Sequence, residues 1–200
     1  FCAHIIGGDV IYVCKDLDTV RKQTTFNFLF TMYRDSKGNG AGFDDDAQFG
    51  LYNSLDGGLT WNYVDKLITA AKDIGEVGYD NPCIIVPPNI GVQKAIYDFN
   101  FKLDWNKGRY IVAYQRCCRN GTISNINDPG STGALFSIEI YPEAINSCNN
   151  SPVYKKFPPI VICAGEPIMF DHSVSDKEND QIVYQFCAPL QAGGRAGDGM

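Results

Sequence analysis

The chain has 200 residues, enough for one or two domains with a real core, and 44% apolar content with only 20% charge argues against a disordered polymer. A net charge of −6, with the basic residues scattered singly, argues against nucleic acid as a partner. No run of about 18 apolar residues spans a membrane, and Phe1–Gly8 is too short and uncharged for a signal peptide.

Eleven Tyr, twelve Phe and recurrent Val, Ile and Thr are strand composition. In chain order, apolar or alternating runs stand at Val10–Cys14, Thr25–Tyr33, Ala47–Tyr52, Trp61–Leu67, Ile84–Val86, Ala95–Leu103, Tyr110–Cys118, Ala134–Ile140, Ile160–Cys163, Ile168–Asp171 and Ile182–Phe186. Turn-rich clusters separate them, among them Asp35–Gly42, Asp56–Gly58, Asn106–Gly108, Asp128–Gly133 and Lys177–Asp180. Thr69–Gly75 has room for one helical turn, and no long 3.6-residue period occurs. Many short strands between regular turns predict an all-β fold of antiparallel, Ig-like β-sandwich modules. Pro152, Pro158 and Pro159 mark a junction. The expected domains are a sandwich over 1–150 and the start of a second, incomplete module over 151–200, which is short of the roughly 100 residues an Ig-type sandwich needs.

Eight cysteines stand at positions 2, 14, 83, 117, 118, 148, 163 and 187. None falls in a CxxC pair and only two histidines exist, so a zinc site of ordinary spacing and a thioredoxin-like motif are both absent. The even count reads as a disulfide framework, which requires an oxidising compartment. Neighbouring side chains on a strand point to opposite faces, so Cys117 and Cys118 are expected to anchor to different partners. Two chain reversals, at Gly165–Pro167 and at the acidic turn before Ile182, bring Cys187 back to the pole of Cys163. A Cys163–Cys187 bridge closing about 25 residues is therefore expected, worth roughly 3 kcal/mol in the chain-entropy model. Cys2, Cys14, Cys83, Cys117, Cys118 and Cys148 allow 15 pairings. The favoured ones join Cys83 to one member of the vicinal pair and Cys148 or Cys14 to the other.

Short motifs surround these cysteines: His4–Asp9 with Tyr12 and Cys14, Met32–Asp35, Asn81–Cys83 with Val86–Pro88, Tyr114–Asn120 with Thr122–Ile126 and Pro129–Gly133, and Ser151–Pro152 with Phe157–Pro159. Together they resemble the secreted, gliding-motility-associated surface proteins of the Bacteroidota. Cys163–Pro167, Phe170–Ser173 and Asp176–Asp180 are similar to that family's PKD- or cadherin-like module. Two departures stand out: Ser36 replaces the cysteine usual after the "LYRD" strand, and Ile90–Gly91–Val92 replaces a "VCV". Losing both together implies one lost disulfide. The resemblance implies modular proteins exported across the outer membrane, often by type IX secretion, that serve as adhesins or matrix components. The expected location is the bacterial cell surface, and the expected partners are copies of this chain or neighbouring surface proteins.

Ser54–Trp61 fits the Asp-box pattern SxDxGxTW of sialidase-type propellers. It occurs once, so a hairpin turned by Asp56 and its glycines, with Trp61 entering the core, is the expected reading. Asp176, Glu178 and Asp180 alternate between two strands, and hard oxygen ligands at that spacing suit calcium, with a solvated turn as the alternative. Asp44–Asp46 is expected to be a solvated loop. His4 and His172 sit in no triad pattern, so no catalytic residue is assigned. The expectation is a non-enzymatic surface protein acting in adhesion or as a subunit of an extracellular filament or matrix. The alternative is a carbohydrate-binding module, or part of a glycan-active enzyme, with glycans as ligands.

Overall fold

Alternation builds the first sheet of the computed structural model, which describes residues 5–38, 40–78, 90–159, 162, 165 and 167–191. In β2 (Gln23–Asp35) Phe26, Phe28, Phe30 and Met32 are at most 1% exposed, while Leu29, Thr31 and Tyr33 turn to the other face. β6 (Val92–Asp104) repeats this with Ala95, Tyr97, Phe99, Phe101 and Leu103. Antiparallel pairing puts Phe28 opposite Phe99 and Phe30 opposite Tyr97. β1 (Ile5–Asp18) and the short β5 (Asp73–Glu76) complete the order β1-β2-β6-β5. The second sheet runs β4-β3-β7-β8, from β3 (Ala47–Ser54), β4 (Asn62–Thr69), β7 (Arg109–Arg116) and β8 (Ala134–Ile140).

The two sheets face one another across an aromatic core. Phe49 reaches over from β3 to lie 4.2 Å from Phe99 and 5.2 Å from Tyr114, ring centre to ring centre. Burying each such ring stabilises the fold by about 2–3 kcal/mol, and the tilted contacts add to that. A six-residue helix, α1 (Pro142–Ser147), plugs one end with Ile145, and the Ile145 carbonyl accepts the Thr24 hydroxyl at 2.6 Å. Pro142 fits the first turn, where its missing N–H costs nothing, and Cys148 ends the helix in the left-handed region. Gly108 is required before β7: its φ is +75°, and a Cβ there would collide with the Ser54 carbonyl.

The all-β sandwich expected from the pattern is what forms, with local corrections. Thr69–Gly75 makes no helical turn, because β4 runs to Thr69 and β5 begins at Asp73. The hairpin at Ser54–Trp61 forms, and Asp56 closes it by accepting from Ser54, Leu59 and Thr60. Trp61, however, stays partly exposed beside Gly58 instead of entering the core. Ile84–Val86 and most of Ile160–Cys163 lie outside the described residues. Ile168–Asp171 and Ile182–Phe186 are not strands. After Ser151 the described strands are two-residue pieces, β9 (Val153–Tyr154) paired with β10 (Val174–Ser175). Their alternating neighbours find no sheet to bury against, and Met169, Val183 and Phe186 are 98%, 79% and 109% exposed.

Candidate functional site

Two clamps hold the outer edge of β1. Near its start, the Ile5 carbonyl accepts the Asn120 N–H at 3.0 Å, and Ile5 bridges Arg119. Farther along, Ser151 takes both backbone groups of Tyr12, and the Asn150 side-chain oxygen accepts the Cys14 N–H at 2.9 Å. Between the clamps lies a groove of about 850 Å³. Gly7, Gly8 and Asp9 of β1 and Tyr33 of β2 line one side, with Asn120, Thr122 and Ile123 along a second. The 153–159 segment, Phe170 and His172 form the remaining wall.

Local sequence explains this geometry. An irregularity in the β1–β2 register between Ile5 and Gly7 bends the strand entering the groove. No Cβ at Gly7 would touch anything within 4 Å, so the floor is open there. Core-facing Val10 and Tyr12 leave Asp9 on the opposite face of the strand, where the Asp9 carboxylate has no hydrogen-bond or ion-pair partner among the described residues. Burial pushes its pKa up from the ordinary carboxylate value. Burial, and then the charge of Asp9, push the neighbouring Tyr33 hydroxyl up to about 12. Phe157 packs over Tyr33 with ring centres 4.7 Å apart, and Phe170 meets His172 edge-on at 4.5 Å.

The cysteines correct the sequence reading. Cys117 and Cys118 bond to each other, joined by a cis peptide with Cα atoms 3.1 Å apart. They therefore do not anchor to separate partners. Strand β7 ends at Arg116, so the opposite-face rule no longer governs the next two residues. Cys14 pairs with Cys148, which overturns the favoured pairings of Cys14 and Cys148 with the vicinal pair. β1 and the end of α1 bring these two within 5.3 Å, Cα to Cα. Cys187 is exposed and free. Its expected partner, Cys163, lies outside the described residues, as do Cys2 and Cys83. The positions of the implied lost pair do meet: Ser36 N–H donates to the Gly91 carbonyl at 3.0 Å, and a Cβ on Gly91 would touch the Ser36 hydroxyl.

The acidic residues divide. Asp176 accepts the N–H groups of Glu178 and Asp180. Glu178 accepts the Asn150 side-chain amide at 2.5 Å, and Asp180 accepts that of Asn149 at 2.6 Å. The turn thus latches the C-terminal tract onto the residues following Cys148. Among the described residues, no group of three or more His, Cys, Asp or Glu side chains is placed to hold a metal ion. Asp44 is not solvated as expected. It accepts the Tyr114 hydroxyl at 2.5 Å and lies 2.8 Å from Arg116 Nη1, in an ion pair not aligned as a hydrogen bond. Asp45 and Asp46 are exposed. His4 lies outside the described residues and His172 is exposed at the groove wall.

Sequence reasoning missed Asp9, Tyr33 and Phe157 as a group. A signal was present, since the short motifs containing them, with Phe170–Ser173, converge on this one groove. Fold and groove together describe a disulfide-stapled β-sandwich with an aromatic, carboxylate-bearing cleft beside an edge strand. No family model matches the chain, and no characterised protein and no solved structure proves similar to it.

Proposed function

We propose that this chain is a non-enzymatic protein of the bacterial cell surface, acting in adhesion or as a structural subunit of an extracellular assembly. One observation carries the reading. The tract after Ser151 exposes Met169, Val183, Tyr184, Phe186 and Leu190, a density of bare apolar side chains that supports a role in interaction. Two disulfides, Cys14–Cys148 and Cys117–Cys118, fit an oxidising, extracytoplasmic compartment. The motif resemblance to gliding-associated surface proteins supports the location. Sedimentation and negative-stain microscopy of the purified chain test it. Concentration-dependent association, or binding to bacterial surfaces, is expected, and a monomer inert to both overturns it.

The groove favours a second reading, a carbohydrate-binding module or part of a glycan-active enzyme. Tyr33, Phe157 and Phe170 offer ring faces, and Asp9 and Asn120 offer polar groups beside them, the composition of a site that stacks and hydrogen-bonds a ligand. A glycan array with an activity screen separates the two. Specific binding or turnover sinks the purely structural account.

A further inference from the structure

The Asp9 carboxylate, which has no partner among the described residues, is the least explained group in the groove. A carboxylate moved out of water is costly unless it is paired and hydrogen-bonded, yet no described residue bonds to it. The basic side chains named in the lining, Lys155 and Lys156, form no ion pair with it. Their charge acts on Asp171, whose carboxyl is held low first by hydrogen bonds from Ser173 and then by these lysines. Asp9 shares the groove lining with Tyr33 and Phe157, whose rings pack together with centres 4.7 Å apart. A carboxylate and aromatic rings in one groove are the chemistry that recognises an alkylammonium or guanidinium group.

The backbone beside Asp9 says what carries that cation. β1 is the last strand of its sheet. Tyr12 turns both its N–H and its C=O outward, to Ser151. By the two-residue alternation of an antiparallel strand, Val10 and Gly8 also turn their backbone groups outward. No described residue bonds to that stretch, which lies between the Asn120 and Ser151 clamps. An open strand edge is a template for an extended polypeptide. A strand added there places its residue opposite Asp9 on the same face as the carboxylate, where unlike charges attract across strands.

We infer that the groove binds an extended polypeptide along the Gly8–Val10 edge of β1, seating one of its lysine or arginine side chains between Asp9 and the Tyr33–Phe157 rings. The bond is a charge-assisted hydrogen bond to the Asp9 carboxylate, with the side-chain stem against the rings. This goes beyond the surface-assembly reading and stands independently of it, because a chain that never self-associates still has the groove.

The test is a titration of the intact, oxidised chain, followed by NMR shifts, with short blocked peptides of alternating valines around one central lysine. Saturable binding is expected, weakened about tenfold or more when that lysine is acetylated or replaced by norleucine. Asp9→Asn is expected to weaken it by a similar factor with the fold intact, and Tyr33→Ala to weaken it as well. Equal binding of the acetylated or norleucine peptide overturns the cation site. Blocked lysine alone binding as tightly as the peptide overturns the strand-addition part, and no saturable binding up to about 10 mM overturns both. Aspartate-insensitive binding also overturns the assignment, even if the lysine peptide binds.

Discussion

At the scale of single residues, Asp9 and Asp44 show two fates of a carboxylate drawn into a β-sandwich. Burial raises the Asp9 pKa, and no described residue pairs with the carboxylate to offset it. The folded chain therefore holds the Asp9 proton more tightly than the unfolded chain does. The stability this favours is present below the ordinary carboxylate value of 3.8 and is lost as pH rises through the raised value. At neutral pH Asp9 is a cost, so Asp9→Asn is expected to stabilise the free protein by about 1 kcal/mol, the low end for an unpaired polar group. Melting curves at pH 7 and below pH 4 check this, since the gain has to vanish in acid. Asp44 is the reverse case, with Tyr114 and the 8%-exposed Arg116 as partners. Removing it as Asp44→Ala strands both, and a loss of about 2–3 kcal/mol in urea unfolding is expected. Neither fate was legible from the residues. Asp44 belongs to a run of three aspartates that looks like a solvated loop, and only the approach of β7 distinguishes the first from the other two.

At the scale of elements, the long strands were legible because large aromatics recur at every second position in β2 and β6, a period no helix shares. α1 was not, since six residues are too few to display a helical period. The vicinal pair was misread for a related reason: a rule valid inside a strand was carried past its last residue, Arg116. The two disulfides are expected to differ sharply in worth. Cys14–Cys148 closes 134 residues, about 5 kcal/mol in the chain-entropy model, whereas Cys117–Cys118 closes almost no chain. Serine replacement of both members of each pair, compared by thermal melting, is expected to collapse stability for the first pair and cost far less for the second. Where β2 ends and β6 begins, Ser36 and Gly91 already touch. The double substitution Ser36→Cys with Gly91→Cys is expected to bridge spontaneously under air and to stabilise by up to about 4 kcal/mol. Mass mapping without reduction reads the bridge directly, and two free thiols there disprove the contact.

At the scale of the whole molecule, the sandwich formed by residues 5–140 and the tract beyond Ser151 follow different rules. In the first part the described alternating runs belong to one sheet or the other, so pattern and structure agree there. In the second, Ile168–Asp171 and Ile182–Phe186 carry the same kind of pattern but join no described sheet, and the described residues there are largely exposed. Alternation signals a strand only where something covers its apolar side. The groove was illegible as a site for a further reason. Its residues come from stretches near 8, 33, 121, 157 and 171, and only the two clamps on β1 bring them together.

The Cys14–Cys148 bond also decides how the molecule transmits force. A pull applied through the chain on either side of this pair passes from one sulfur to the other and bypasses the 134-residue span they enclose. The enclosed span is then shielded from the load, and of the two sheets only residues 5–13 of β1, which precede Cys14, stay in the line of force. Reduction adds that span to the extensible chain, releasing up to about 45 nm of extended chain at roughly 3.4 Å per residue. Single-molecule stretching with and without reductant is expected to show that extra length only when the bond is broken. The thiol state at positions 14 and 148 thus sets how far the chain extends under load.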